Sequence, residues 1–143
     1  MPIGECVFRE EDKKIIFLIG GIGITPVISI MEYIMDKDLD TDTRLFYSNR
    51  TEEDIAFRKK LDNWRSINKN IEVYYTITDC QPKDKACISG YINKELIQER
   101  IDDLDERIIF IYGPPGMVKA MRKISLDIGA KTENIRSENF LGY

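Results

Sequence analysis

Apolar residues along this chain come in two alternating forms. Ile15-Ile16-Phe17-Leu18-Ile19 is an unbroken apolar run, which suits a parallel strand buried on both faces. After Gly20-Gly21-Ile22-Gly23-Ile24-Thr25-Pro26 the spacing changes, and Val27, Ile30, Met31, Ile34 and Met35 recur at helical intervals. Thr25 suits the cap of that helix and Pro26 its first position. Arg44–Ser48 then reads as a strand. Thr51-Glu52-Glu53-Asp54 reads as a capped helix start, with Ile55, Phe57, Leu61 and Trp64 as the apolar face. Ile71–Thr78 is a β-branched and aromatic strand, followed by a polar loop over Asp79–Ala86. Asn93 can cap a short helix carrying Leu96, Ile97 and Ile101. Arg107–Tyr112 is another strand and ends at Gly113-Pro114-Pro115-Gly116. Met117, Val118, Met121, Ile124, Leu126 and Ile128 mark the next helix, which Gly129 stops. Ile135–Phe140 closes the series as a short strand.

Strands alternating with helices imply right-handed βαβ units and a parallel sheet. The pattern therefore predicts an α/β fold: a doubly wound, five-stranded parallel sheet of order 3-2-1-4-5 with helices on both faces. No repeat or low-complexity segment divides the chain. Residues 15–143 form one domain in this reading, and residues 1–14 are a connection into it.

Composition narrows the function. The chain has 143 residues, 43% of them hydrophobic, and a formal net charge of -4. A net-negative surface offers no electrostatic footprint for nucleic acid or anionic membrane. The five-residue run Ile15–Ile19 is too short to span a bilayer, and no signal-peptide pattern opens the chain. Three cysteines, Cys6, Cys80 and Cys87, sit in no metal-ligand spacing, and their odd number suits a reducing cytoplasm. Histidine is absent, which removes most zinc sites and every Ser-His or Cys-His nucleophile pair. No metal site is expected.

The two unusual turns carry the candidate chemistry. A glycine-rich turn between a strand and a helix lets the backbone approach an anion at the positive end of the helix dipole. Gly20-Gly21-Ile22-Gly23 stands directly after the first strand, although Pro26 occupies the third glycine position of the full dinucleotide fingerprint. Alone, such a turn can also be purely structural. Gly113-Pro114-Pro115-Gly116 follows the fourth strand. In a 3-2-1-4-5 sheet, strands 1 and 4 are neighbours across the topological switch point, where ligands bind. The two turns thus face one crevice.

These residues also carry a resemblance. Gly20-Gly21-Ile22-Gly23-Ile24-Thr25-Pro26, Tyr47-Ser48-Asn49-Arg50 with Glu53-Asp54, Gly113-Pro114-Pro115-Gly116-Met117 and the ending Glu138-Asn139-Phe140-Leu141-Gly142-Tyr143 together resemble the ferredoxin–NADP reductase superfamily. The resemblance implies a domain that holds NADP or NAD and passes hydride to FAD or FMN in a preceding flavin-binding domain. It implies that Gly20, Gly21, Gly23, Ile24, Thr25 and Pro26 lie against the pyrophosphate and nicotinamide end. Ser48, Asn49 and Arg50 flank the adenosine ribose, and Gly113, Pro114, Pro115 and Met117 wall the nicotinamide side. Phe140 or Tyr143 can stack on the flavin. Tyr112 stands where the family commonly has a cysteine beside the nicotinamide, and its ring either occupies that space or simply ends the buried strand; Tyr112 and Tyr143 are the candidate catalytic residues.

Two departures shape the reading. The family's Arg-x-Tyr-Ser/Thr flavin motif does not occur in this sequence, whereas Pro2-Ile3-Gly4-Glu5 resembles a segment near the end of the flavin domain. Residues 1–14 then read as a remnant of that domain, and the chain as one excised from a longer flavoprotein. The downstream electron acceptor has no signature. A non-enzymatic nucleotide-binding or assembly module on the same fold is the alternative. Arg50 at the end of the second strand, with no acid before Glu52, favours NADP over NAD, unless a neighbouring acid pairs with it.

Overall fold

The computed structural model describes residues 8–79 and 81–140. Cys6, Cys80, Tyr143, the Pro2–Glu5 segment and the Leu141–Tyr143 ending lie outside them.

Among the described residues all strands are parallel. In chain order the elements are β1 (Lys14–Gly20), α1 (Ile24–Asp36), β2 (Asp42–Asn49), α2 (Arg58–Ile67), β3 (Ile71–Ile77), β4 (Cys87–Ser89), α3 (Lys94–Arg100), β5 (Ile108–Gly113), α4 (Pro115–Asp127) and β6 (Ile135–Asn139). The sheet has six strands in the order β4-β3-β2-β1-β5-β6, which corrects the expected five strands and order 3-2-1-4-5. The difference is β4, a three-residue edge strand pairing Tyr75 with Cys87, Thr76 with Ile88 and Ile77 with Ser89. Three residues inside a polar stretch carry too little periodicity to register as a strand.

Continuous burial explains the apolar run of β1. Ile15, Phe17 and Ile19 face one cluster with Val27, Met31 and Ile34 of α1 and Leu61 and Trp64 of α2. Ile16 and Leu18 face the other, with Leu96 and Ile97 of α3 and Val118 and Met121 of α4. The apolar stripe of each helix thus meets one side of a doubly covered sheet. Asn93 caps α3 as expected, its side chain accepting from the Leu96 N–H at 2.8 Å.

The base of the sheet is fastened by charge. Arg107 is 2% exposed and donates to the Ile15 carbonyl at 2.9 Å, to Asp42 at 2.9 Å and to Asp103 at 2.7 Å. It ties β1 and β2 to the turn that enters β5. Arg136 on β6 makes a second buried pair, with Asp12 at 2.6 Å.

Two helix starts differ from the sequence reading. α1 begins at Ile24, with Gly23 as its N-cap, so Thr25 and Pro26 lie within the first turn. A proline is tolerated there because those N–H groups have no partner within the helix. α2 begins only at Arg58. Residues Glu52–Asp54 form a separate 3₁₀ turn, and Phe57 is 45% exposed rather than part of the buried face. Ile55, Leu61 and Trp64 are buried.

Candidate functional site

The C-terminal ends of β1, β2 and β5 open into one crevice of about 910 Å³, within the size range of ligand pockets. The two glycine turns meet beneath it. A methyl group added at Gly113 would lie 3.4 Å from the Gly20 nitrogen and 3.6 Å from its Cα, so a side chain there would press on the end of β1 across the switch point.

The first turn is a 3₁₀ segment over Gly21–Gly23 that runs straight into α1. Gly21 has φ +54°, a left-handed conformation that costs glycine little. Neither the N-terminus of α1 nor that of α4 is capped by a side chain, and neither carries an acidic residue in its first turn. Two helix ends therefore present positive dipole and backbone N–H groups to the crevice.

The glycines divide by role. A Cβ on Gly20 would sit 2.2 Å from the Met117 sulfur, and one on Gly23 would sit 2.5 Å from the Tyr112 carbonyl oxygen. Gly20 makes room for Met117, and Gly23 lets the turn pack on the β5 backbone. These two glycines serve protein packing first. Gly21, which lines the crevice with a positive φ, remains for close approach by a ligand.

Of the sequence candidates, Gly20, Gly21, Ile24 and Thr25 line the crevice, as do Ser48, Asn49, Arg50, Pro114 and Met117. Gly23 and Gly113 are buried behind it, and Pro26 and Pro115 are not on its wall. Tyr112 is fully buried, its ring 6.1 Å from Phe110 and 6.1 Å from Phe140. Its side chain lies in the core, so the structure does not bring it to the crevice as a catalytic group. Phe140 is half-buried, and its N–H donates to the Gly113 carbonyl at 2.7 Å, which pins the end of β6 beside the second turn.

Several crevice residues escaped sequence reasoning. Tyr91 is 73% exposed and Ile22 is 43% exposed, and both line the cavity with Phe57 and Thr78. Tyr91 is a large aromatic at a position that no strand or helix face requires, whereas Phe57 fits the helical stripe read for α2 and so gave no signal.

Polar groups complete the site. The Asn49 side chain is buried; its amide nitrogen makes no hydrogen bond of full geometry and lies near enough to the Tyr47 hydroxyl to favour the phenolate. A buried donor in that state costs stability, and its place on the crevice wall makes a ligand oxygen the fitting acceptor. Next to it, the Tyr47 hydroxyl accepts from the Ala56 N–H at 3.1 Å and lies 3.4 Å from the Ala56 carbonyl. Burial pushes the Tyr47 phenol up, so it stays neutral. At the outer edge, Arg50 donates to Asp79 at 2.7 Å. That bond holds the Asp79 carboxyl below its usual range and raises the guanidinium.

One cluster of potential metal ligands lies nearby. Ligand atoms of Glu52, Asp84 and Cys87 lie within 4.8 Å of one another. Glu52 already accepts from the Lys83 and Asp84 N–H groups at 2.7 and 3.0 Å, and Asp84 is paired with Arg58. Burial pushes the Cys87 thiol up, away from the thiolate that binds metal or attacks. Among the described residues no helix is long and apolar enough to cross a membrane.

Comparison with known proteins gives consistent matches. A family model described as the oxidoreductase NAD-binding domain matches residues 17–123. NADH-cytochrome b5 reductase 1 of Dictyostelium discoideum is 35% identical over 137 residues, covering 94% of this chain and 48% of the relative. A nitrate reductase [NAD(P)H] of Betula pendula is 30% identical over 118 residues, 80% of this chain and 13% of the relative. Among solved structures, the cytochrome b5 reductase domain of Ulva prolifera nitrate reductase superposes with a TM-score of 0.77 at 29% identity, over 90% of this chain and 50% of that one. The chain thus spans less than half the length of these curated relatives.

Proposed function

Because this chain belongs to the oxidoreductase NAD-binding domain family, within the ferredoxin–NADP reductase superfamily, we propose that its crevice holds NADH for hydride transfer to a flavin on a separate flavin-binding domain. The observation that carries this reading is the convergence of both glycine turns and the Ser48–Asn49–Arg50 segment on one cavity at the switch point. The pyrophosphate fits the uncapped N-terminus of α1 beside Gly21. The adenosine half fits the β2 side, where Ser48 and Asn49 offer donors. The nicotinamide fits the β5 side, against Pro114 and Met117. Nicotinamide and flavin supply the redox chemistry, and the protein supplies position. The absence of histidine is then no obstacle, since hydride transfer needs no general base.

Arg50 gives less support to NADP than its sequence position implied. Its Nε is engaged by Asp79, and a carboxylate at this edge repels a 2′-phosphate. We therefore assign NADH as the preferred donor, in keeping with the name of the Dictyostelium relative. That name also supplies cytochrome b5 as the acceptor class to test first in the intact protein. Calorimetric titration of the chain with NADH, NADPH and AMP tests the reading. NADH is expected to bind more tightly than NADPH, and AMP to bind as the adenosine half alone. Failure of all three to bind at millimolar concentration would overturn it.

A further inference from the structure

The stretch that leads into β1 is fastened at two places, to α1 and to β6. Residues 8–12 meet α1 first. The Phe8 ring stands edge-on to the Tyr33 ring, with centroids 6.3 Å apart, and Glu10 accepts a hydrogen bond from the Tyr33 hydroxyl. At Asp12 the same stretch meets β6. One carboxylate oxygen of Asp12 accepts from the Arg9 N–H at 2.9 Å and from Arg136 Nη1 at 2.6 Å, and the other accepts from Arg136 Nη2 at 3.4 Å. The Asp12 N–H returns to the Arg9 carbonyl at 2.9 Å. A closed turn over residues 9–12 is thereby tied to the edge of the sheet.

The tie is long and buried. Arg136 stands on β6 beside Phe110 of β5, which in turn stands beside Phe17 of β1. The guanidinium lies 5.5 Å from the Phe110 ring centroid and reaches a residue that precedes β1, so the pair spans β5. Its acid and guanidinium are 7% and 10% exposed, and a buried ion pair adds little stability over apolar side chains of similar volume. What it adds is geometry, because a two-point bond to a carboxylate fixes direction as well as distance. Both anchors also belong to walls of the crevice. α1 starts directly after the first glycine turn, and the Phe140 N–H that follows β6 is bonded to Gly113 of the second.

We propose that the Asp12–Arg136 pair is a positioning device for hydride transfer: it fixes the direction in which the chain enters the sheet, and with it the stance of the preceding flavin-binding domain over the crevice. The proposal rests on the reading of this chain as the NADH-holding partner of such a domain. Neither residue lines the crevice, so both act on the distance between nicotinamide and flavin and not on the grip on NADH. A change of direction at residues 9–12 is carried to everything upstream, and a misplacement of about 1 Å between reacting groups slows a reaction by up to about 100-fold.

The test uses two variants. The double replacement Asp12→Leu with Arg136→Met removes both charges and keeps the site filled. Arg136→Lys keeps the charge and loses the two-point bond. In the 143-residue chain, amide hydrogen exchange at Asp12 should quicken by about tenfold or more in both variants, as expected for local opening of a turn. Calorimetric NADH affinity should stay at the wild-type value. In the intact flavoprotein, stopped-flow reduction of the flavin by NADH should show a limiting rate lower by about 10- to 100-fold, with the dissociation constant for NADH unchanged. Unchanged exchange at Asp12 in folded variants would overturn the proposal, because the pair would not hold the turn. An unchanged limiting rate would overturn it too, because the turn would not place the flavin. Loss of NADH affinity in step with rate, or failure of both variants to fold, would reduce the pair to a structural one and overturn it as well. Wild-type flavoprotein whose flavin is not reduced by NADH would instead overturn the functional reading on which the proposal rests.

Discussion

Replacing Gly23 by alanine separates a glycine kept for the protein from a glycine kept for a ligand. The added Cβ would stand 2.5 Å from the Tyr112 carbonyl oxygen, 2.7 Å from its carbonyl carbon and 3.0 Å from its Cβ. The first two are backbone atoms of a central strand whose register with β1 spans Ile15–Ile19 and Ile108–Tyr112, so they cannot rotate aside. Overpacking a filled core costs about 1–3 kcal/mol, and rigid backbone neighbours put Gly23→Ala near the upper end. For a domain of this size such a loss lowers the melting temperature by about 10 °C. Gly116→Ala is the internal control. Nothing lies within 4 Å of a methyl group at that position, and alanine in a helix should gain up to about 1 kcal/mol. Urea unfolding of both variants, each with an NADH titration, reads out the difference. A Gly23→Ala protein of wild-type stability that has lost NADH binding would refute the reasoning, because it would make Gly23 a ligand-facing residue after all.

Four further outcomes follow from the charges and from the Asn49 amide. Asp79→Asn should free Arg50 and raise NADPH affinity relative to NADH in paired titrations at fixed ionic strength, and an unchanged ratio would remove the pair from cofactor choice. Asp12→Ala takes the carboxylate from a pair whose acid and guanidinium are 7% and 10% exposed and should cost about 3 kcal/mol in urea unfolding, so a loss under about 1 kcal/mol would argue against a structural pair. Burial pushes the Asp103 carboxyl up, but hydrogen bonds from Arg107 and Lys14 outweigh it and hold the group below its ordinary 3.8. Its contribution to stability is therefore present above that value and lost as pH falls through the lower folded one, and Asp103→Asn should flatten the acid limb of a stability–pH curve. Asn49→Leu should remove a poorly matched buried donor, leaving stability nearly unchanged while weakening NADH by about tenfold, and equal affinity would show that no ligand oxygen meets the amide.

The fold was legible because each of its major elements repeats one period long enough to be counted. Five consecutive apolar residues in β1 fit a strand covered on both faces, and α1 and α4 keep a 3.6-residue stripe over 13 residues each. What escaped lay at the margins. β4 is three residues long and owes its pairing to the neighbouring edge of β3 rather than to any pattern of its own. The start of α2 was displaced because Thr51-Glu52-Glu53-Asp54 has the composition of a helix entrance, and that composition was used by a 3₁₀ turn. The left-handed break at Phe57, fixed by Tyr47 reaching nine residues along the chain to Ala56, is a tertiary decision that no local propensity encodes.

The site was legible in outline and misjudged in detail, for one physical reason. A glycine in a sequence reports that a Cβ is unwelcome, but not which neighbour excludes it. Gly20, Gly21 and Gly23 read alike as phosphate-facing residues, yet the sulfur of Met117 excludes a side chain at the first and the Tyr112 carbonyl at the third. Only Gly21, with its positive φ and partial exposure, combines the backbone and the access that a phosphate requires. Arg50 poses the same problem in charge. Its position after β2 matched a donor for a 2′-phosphate, but Asp79 arrives from the end of the adjacent strand, 29 residues on. The carboxylate paired with the Arg50 Nε puts a negative charge at that edge, and such a charge opposes a 2′-phosphate and suits the hydroxyls of an unphosphorylated ribose.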